Sequence, residues 1–229
     1  YMTRLYRLLI SIILLTFSAY INAGDWSLYR VNQKLHGAVI KTIPTSIKLK
    51  WTYPTDSEIV ASPVVSQGKI FIGSTNGIMY CLDLNGNLIW KYESDNSIEA
   101  SALVLNNKVY FGNLKGNFYA LDIKTGEVLW TYKSRNQINA SANFWSDDNR
   151  TYILIGDYDY FLNCLDAETG ELIWQYEAMN FIHSAVAIEG NYAVFGGCDG
   201  FLHVIDIKTG QAISNFELAT YIASSPALE

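Results

Sequence analysis

Four tryptophans recur at a near-constant interval, and that recurrence constrains the fold more than any other feature. Trp51, Trp90, Trp130 and Trp174 lie 39, 40 and 44 residues apart, and Asp83, Asp122, Asp166 and Asp206 lie 39, 44 and 40 apart. Gly73, Gly112, Gly156 and Gly196 keep the same register, as do Ile59, Ile98, Ile138, Ile182 and Ile222. A fixed period of about 20 to 50 residues marks supersecondary units that bury their apolar faces only against one another. The one long unit carries its surplus at Ser146, Asp147, Asp148 and Asn149, residue types suited to a lengthened hairpin turn.

Each unit divides into four short strands, in the first Val60 to Ser66, Lys69 to Ser74, Ile78 to Leu84 and Leu88 to Tyr92. Gln67-Gly68, Thr75-Asn76-Gly77 and Asn85-Gly86 separate them, each offering a residue able to take positive φ, as tight hairpins demand. The first strand opens with two small residues: Ala61-Ser62, Ala100-Ser101, Ala140-Ser141, Ser184-Ala185 and Ser224-Ser225. Small side chains at a fixed phase suit strands crowded around an axis, with Trp and Tyr further out. The pattern predicts an all-β chain, a β-propeller of four-stranded antiparallel blades. Complete blades are expected near 59–93, 98–133, 138–177 and 182–217, and partial strands at 47–53 and 222–229, which implies part of a larger ring.

The most specific segments are LDIKTGEVLW (121–130) and LDAETGELIW (165–174), with the shorter LDLNGNLIW (82–90) and the degenerate IDIKTGQAIS (205–214). The aspartate is expected to accept turn amides, Thr-Gly with Gly126 or Gly170 to reverse the chain, and the indole to lie across the neighbouring blade. Burying a Trp removes roughly 150 to 250 Å² from water. Trp51, Trp90, Trp130, Trp174, the four aspartates and the two glycines are thus the expected blade-docking residues. Together with Ser62-Pro63 and Ser225-Pro226, these motifs resemble pyrroloquinoline-quinone-repeat propellers over residues 47–229. GDWSLYR, from Gly24 to Arg30, resembles the segment that precedes the first blade in exported members. The resemblance implies seven or eight blades in a closed ring. Two positions depart from the pattern. Ser214 replaces the fourth tryptophan, and Tyr160 replaces the glycine of Gly77, Gly116 and Gly200, so its turn is expected to differ, tyrosine being costly at positive φ.

Ahead of the repeats, Arg4 and Arg7 precede an apolar run from Leu8 to Ile21, with Ala23 just before Gly24. That is a signal-peptide layout over residues 1–23; as a helix the run reaches about 21 Å, short of a bilayer core near 30 Å, so an uncleaved anchor is the weaker reading, and cleavage implies export to the periplasm or outside the cell with no transmembrane span. Loss of both arginines leaves 14 basic against 22 acidic residues, a formal −8, which argues against nucleic acid as a partner.

The groups that carry chemistry are few. Cys81, Cys164 and Cys198 lack metal-ligand spacing; the first two are expected to be buried packing residues and Cys198 a turn thiol. Asp157 with Asp159, and Asp147 with Asp148, are expected to be solvated loop acids, short of the six to eight oxygens calcium takes. His183 shares its phase with Val60, Glu99 and Asn139 beside the small pairs, which makes it a candidate for the channel mouth. Tyr158 and Tyr160 are candidate aromatic contacts on a rim. The repeat without catalytic residues points to an exported, non-catalytic scaffold that binds other envelope proteins or a small ligand, of outer-membrane-assembly type. The alternative implied by the resemblance is the early part of a dehydrogenase oxidising alcohols or sugars with pyrroloquinoline quinone and calcium.

Overall fold

A computed structural model describes residues 25–39 and 45–229; the leader expected over 1–23 lies outside them. The described residues contain no helix and form four separate four-stranded antiparallel sheets, each a simple meander. The first comprises β1 (Val64–Ser66), β2 (Lys69–Gly73), β3 (Ile78–Asp83) and β4 (Leu88–Glu93). The second comprises β5 (Leu103–Leu105), β6 (Lys108–Gly112), β7 (Asn117–Asp122) and β8 (Val128–Lys133). The third comprises β9 (Asn143–Ser146), β10 (Thr151–Gly156), β11 (Phe161–Asp166) and β12 (Leu172–Glu177). The fourth comprises β13 (Ala187–Glu189), β14 (Tyr192–Gly196), β15 (Phe201–Asp206) and β16 (Gln211–Glu217). The fold is that of an all-β propeller, with each sheet a blade.

The apolar core lies between blades rather than within any one of them. Val64, Phe71, Met79 and Trp90 of the first blade pack with Val104, Phe111, Leu121 and Ile123 of the second, and similar clusters join the second to the third and the third to the fourth. A lone four-stranded sheet cannot bury both faces, so stacking neighbours supplies its stability. The glycine ending each second strand lets the next unit approach. A Cβ built on Gly73, Gly112, Gly156 or Gly196 would lie within 2.2 to 2.3 Å of Cγ2 of Ile98, Ile138, Ile182 or Ile222.

The innermost strands are shorter than expected. The first begins at Val64 rather than Val60, so the small pairs precede the strands instead of opening them. Their amides reach sideways: Ser101 N donates to Ser141 Oγ at 3.0 Å, and Ala185 N to Ser225 Oγ at 2.8 Å. Backbone groups committed to a neighbouring unit are unavailable to a ladder, and Pro63 has no amide to give. Segments 47–53 and 222–229 form no ladder with a described strand.

Residues 25–36 run across the inner ends of all four blades. Trp26 bridges Val65, Ser27 O accepts Val104 N at 2.7 Å, and Gln33 O accepts both Asn143 Nδ2 and Ile188 N at 2.8 Å. Leu28 and Leu35 are buried among Leu103, Ala142 and Ala187, so this segment extends the core along the axis.

Candidate functional site at the axial mouth

The docking motif repeats with little variation from blade to blade. Each aspartate opening the motif accepts two turn amides through Oδ1: Asp83 from Asn85 and Asn87, Asp122 from Lys124 and Thr125, Asp166 from Glu168 and Thr169, Asp206 from Lys208 and Thr209. A bulge lies at one fixed place on the outer strands β4, β8, β12 and β16, at Ile89, Leu129, Ile173 and Ile213, immediately before the indole or, in the fourth blade, Ser214. Each indole then donates to a carbonyl of the next blade: Trp51 Nε1 to Leu84 O at 3.0 Å, Trp90 to Ile123 and Trp130 to Ala167 at 3.1 Å, Trp174 to Ile207 at 2.8 Å. Its ring lies on the turn glycine, so a Cβ on Gly86, Gly126, Gly170 or Gly210 would sit 2.5 to 2.7 Å from indole carbons. One indole thus satisfies a carbonyl and covers a backbone face that only glycine exposes.

In an up-and-down sheet, the turn between second and third strands shares one end of the blade with the connection to the next blade. There Val60, Glu99, Asn139 and His183, with at least one member of each small pair, surround a depression of about 360 Å³, and Tyr29 of the amino-terminal segment also lines it. The four residues of His183's phase therefore face a common space. Glu99 accepts a hydrogen bond from Ser97 Oγ at 3.1 Å.

An aromatic cluster stands beside the depression between the third and fourth blades. Tyr158 stacks on Phe181 at a centroid distance of 4.8 Å, Tyr160 packs against Phe181 at 5.4 Å, and Tyr158 lies 6.2 Å from the His183 ring. The turn holding Tyr160 keeps the left-handed conformation of its sisters but not their closing bond: Gly77 N donates to Ser74 O, Gly116 N to Asn113 O and Gly200 N to Gly197 O, whereas Tyr160 N makes no such bond to Asp157 O. Tyr160 has φ 74°, beside 85°, 83° and 84° at Gly77, Gly116 and Gly200. Its carbonyl accepts Ala178 N just as Gly77 O accepts Ser94 N and Gly116 O accepts Ser134 N. The hydrogen-bonded frame overrides local preference and holds a half-exposed tyrosine in the left-handed region.

Asp157 is a buried hub rather than the solvated loop acid expected from its sequence setting. Only 1% exposed, it accepts Ser134 Oγ at 2.7 Å, Asn163 Nδ2 at 2.9 Å and the amides of Asp159 and Phe161. Asn163 in turn accepts Tyr132 Oη and Gln175 Nε2, tying the second blade to the third. One blade on, buried His203 pairs with Asp199 at 2.9 Å through Nε2 and with Tyr176 and Asn215 through Nδ1. In the second blade Asp95 holds Asn113, Asn117 and Tyr119. Lys115 and these donors keep its carboxyl well below the usual range, while burial and Asp95 push Tyr119 up to about 12. The third-strand positions of this polar layer vary as Tyr119, Asn163 and His203, while their partners Tyr132 and Tyr176 recur two residues after a tryptophan.

The thiols divide two against one. Cys81 and Cys164 are fully buried opposite Trp90 and Trp174, and burial pushes each up to about 12. Cys198 is partly exposed, with Sγ 3.3 Å from His183 Nδ1. Asp147 accepts the amides of Asn149 and Arg150 within its turn, and Asp148 is exposed. The residues at the mouth do not fit pyrroloquinoline quinone with calcium. One carboxylate, Glu99, and one amide, Asn139, fall short of a calcium shell.

A family model described as outer membrane protein assembly factor BamB matches residues 48–177 and 141–220. The crystal structure of BamB from Moraxella catarrhalis is similar at 26% identity and a TM-score of 0.66, over 76% of this chain and 57% of that one. The chain thus spans a little over half the length of that relative. The computationally designed Ika4 protein is similar at 21% identity and a TM-score of 0.62, over 71% of this chain and 99% of that one. Quinohemoprotein alcohol dehydrogenase from Comamonas testosteroni is similar at 17% identity and a TM-score of 0.70, over 86% of this chain and 41% of that one. At such identities these two share the fold. No curated protein matches the sequence.

Proposed function

Because this chain belongs to the pyrroloquinoline-quinone-repeat propellers, the family of the outer membrane protein assembly factor BamB, we propose that it is an exported, non-catalytic scaffold that binds other proteins of the cell envelope. Tyr160 carries the proposal. It stands at φ 74°, 40% exposed, where its sister turns use glycine. A non-glycine residue at such φ costs about 1 to 3 kcal/mol, and backbone strain of this kind gathers at binding sites. Strain tolerated to display an aromatic ring beside Tyr158, Phe181 and the exposed Met179 supports a protein contact, since aromatic side chains anchor interfaces. The acidic side chains nearby hold turns and neighbouring strands, which favours a scaffold over chemistry.

The test compares the wild type with Tyr160→Gly, both purified and crosslinked in envelope extract. Glycine relieves about 1 to 3 kcal/mol of strain and forfeits a Phe181 contact of about 0.5 to 1.5 kcal/mol, so the variant is expected to stay folded. Capture of envelope proteins by the wild type is expected, and its loss in the variant. Equal capture by both proteins contradicts the role of Tyr160. Saturable binding of pyrroloquinoline quinone with calcium, accompanied by dye reduction on adding an alcohol or sugar, contradicts the scaffold itself.

A further inference from the structure

The contact between Cys198 and His183 stands outside the scaffold reading and does not depend on it. One backbone bond, repeated in every blade, brings the two positions together. Thr75 N donates to Glu58 O, Leu114 N to Ser97 O, Tyr158 N to Gln137 O and Cys198 N to Phe181 O. The second residue of each of these turns is thereby held beside the segment leading into its own blade. The paired positions carry Val60 with Thr75, Glu99 with Leu114 and Asn139 with Tyr158 in the first three blades. Only the fourth fills both with groups that transfer protons and attack electrophiles, and there they touch at 3.3 Å. His183 also lines the depression of about 360 Å³, so a small molecule entering that space meets the imidazole that holds the thiol.

We propose that Cys198 and His183 form a thiol–imidazole pair that exchanges with low-molecular-weight disulfides, making Cys198 a site of reversible mixed-disulfide formation. His183 Nδ1 takes the Sγ proton as Cys198 Sγ attacks one sulfur of the disulfide. The bond from Cys198 to that sulfur forms as the original S–S bond breaks, and the other half leaves as a thiolate that recovers the proton from the imidazolium. The incoming disulfide is the oxidant, so electrons balance without a further reactant. Burial and the Asp199 carboxylate push the Cys198 thiol up, which leaves little free thiolate and makes proton removal by His183 the step that permits attack. Cys81 and Cys164, both buried, serve as internal controls.

The experiment incubates the fully reduced chain with oxidised glutathione and follows adducts by intact mass and peptide mapping. One glutathione on Cys198 is expected, with Cys81 and Cys164 reacting only after denaturation. His183→Ala is expected to slow the adduct about 100-fold, the lower range for a positioned base, and added free imidazole to restore part of the rate. If His183→Ala exposes the buried thiols to labelling, His183→Gln takes its place and the rate loss alone decides. A Cys198 that stays unmodified, or a rate that changes less than about tenfold on losing the imidazole, overturns the proposal.

Discussion

Asp122 carries the first consequence at the scale of single residues. The amides of Thr125 and Lys124 hold its carboxyl below the usual aspartate range, as Asn87 does for Asp83 and the Asn149 and Arg150 amides for Asp147. A carboxyl lowered in the folded state stabilises fully above its unfolded value, and that stability is lost as pH falls through the folded one. Urea midpoints are therefore expected to fall between pH 5 and pH 2, and Asp122→Asn to flatten the fall in proportion to its share. A midpoint with the same pH slope in the variant contradicts the assignment. The roles of these aspartates were legible because Leu-Asp-x-x-Thr-Gly recurs. Asp157 was not, because the same position is Ser74 in one blade and Asn113 in another, three residues that meet one need for a turn acceptor.

Strands and turns were legible where hydrogen bonding within one unit decides them, and less so where a neighbouring unit intervenes. The inner strands lose their first residues because the small pairs bond sideways to the next blade, which no pattern internal to one repeat discloses. Tyr160 takes a glycine conformation because Ala178 N and the turn around it are fixed on both sides. The same logic makes Gly112 a sharp test of blade spacing. A Cβ there would lie 2.2 Å from Ile138 Cγ2 and 3.1 Å from the Ile138 carbonyl, with no room to retreat into the backbone. Gly112→Ala is expected to cost about 1 to 3 kcal/mol in chemical unfolding through overpacking, despite the gain in strand entropy. A neutral or stabilising alanine there contradicts so close an approach.

Across the molecule, the period of Trp, Asp, Gly and Ile was enough to place four blades around an axis, because Trp, Gly and Ile are each one half of a contact between neighbours and Asp shapes the turn that receives the indole. The amino-terminal segment had no such echo. Trp26 to Leu35 occurs once and touches every inner strand, so its axial position follows from three-dimensional closure and not from spacing. The site at the mouth shows the same division: His183 was legible by its phase, whereas Cys198 beside it and Phe181 under Tyr158 emerge only when turns and connections meet. Radial docking of indoles on glycines carries the rest. Trp130 lies on Gly170 with a built Cβ 2.5 Å from Cε3, and it bonds Ala167 O across the gap. The most direct test is a double-mutant cycle of Trp130→Ala and Gly170→Ala, read as unfolding free energy. Trp130→Ala alone is expected to cost about 3 to 5 kcal/mol. Gly170→Ala is expected to cost less in that background, where no ring opposes its methyl, giving a coupling of about 1 to 3 kcal/mol. Strict additivity of the two substitutions would mean that the indole and the glycine do not meet, and radial docking would fail with it.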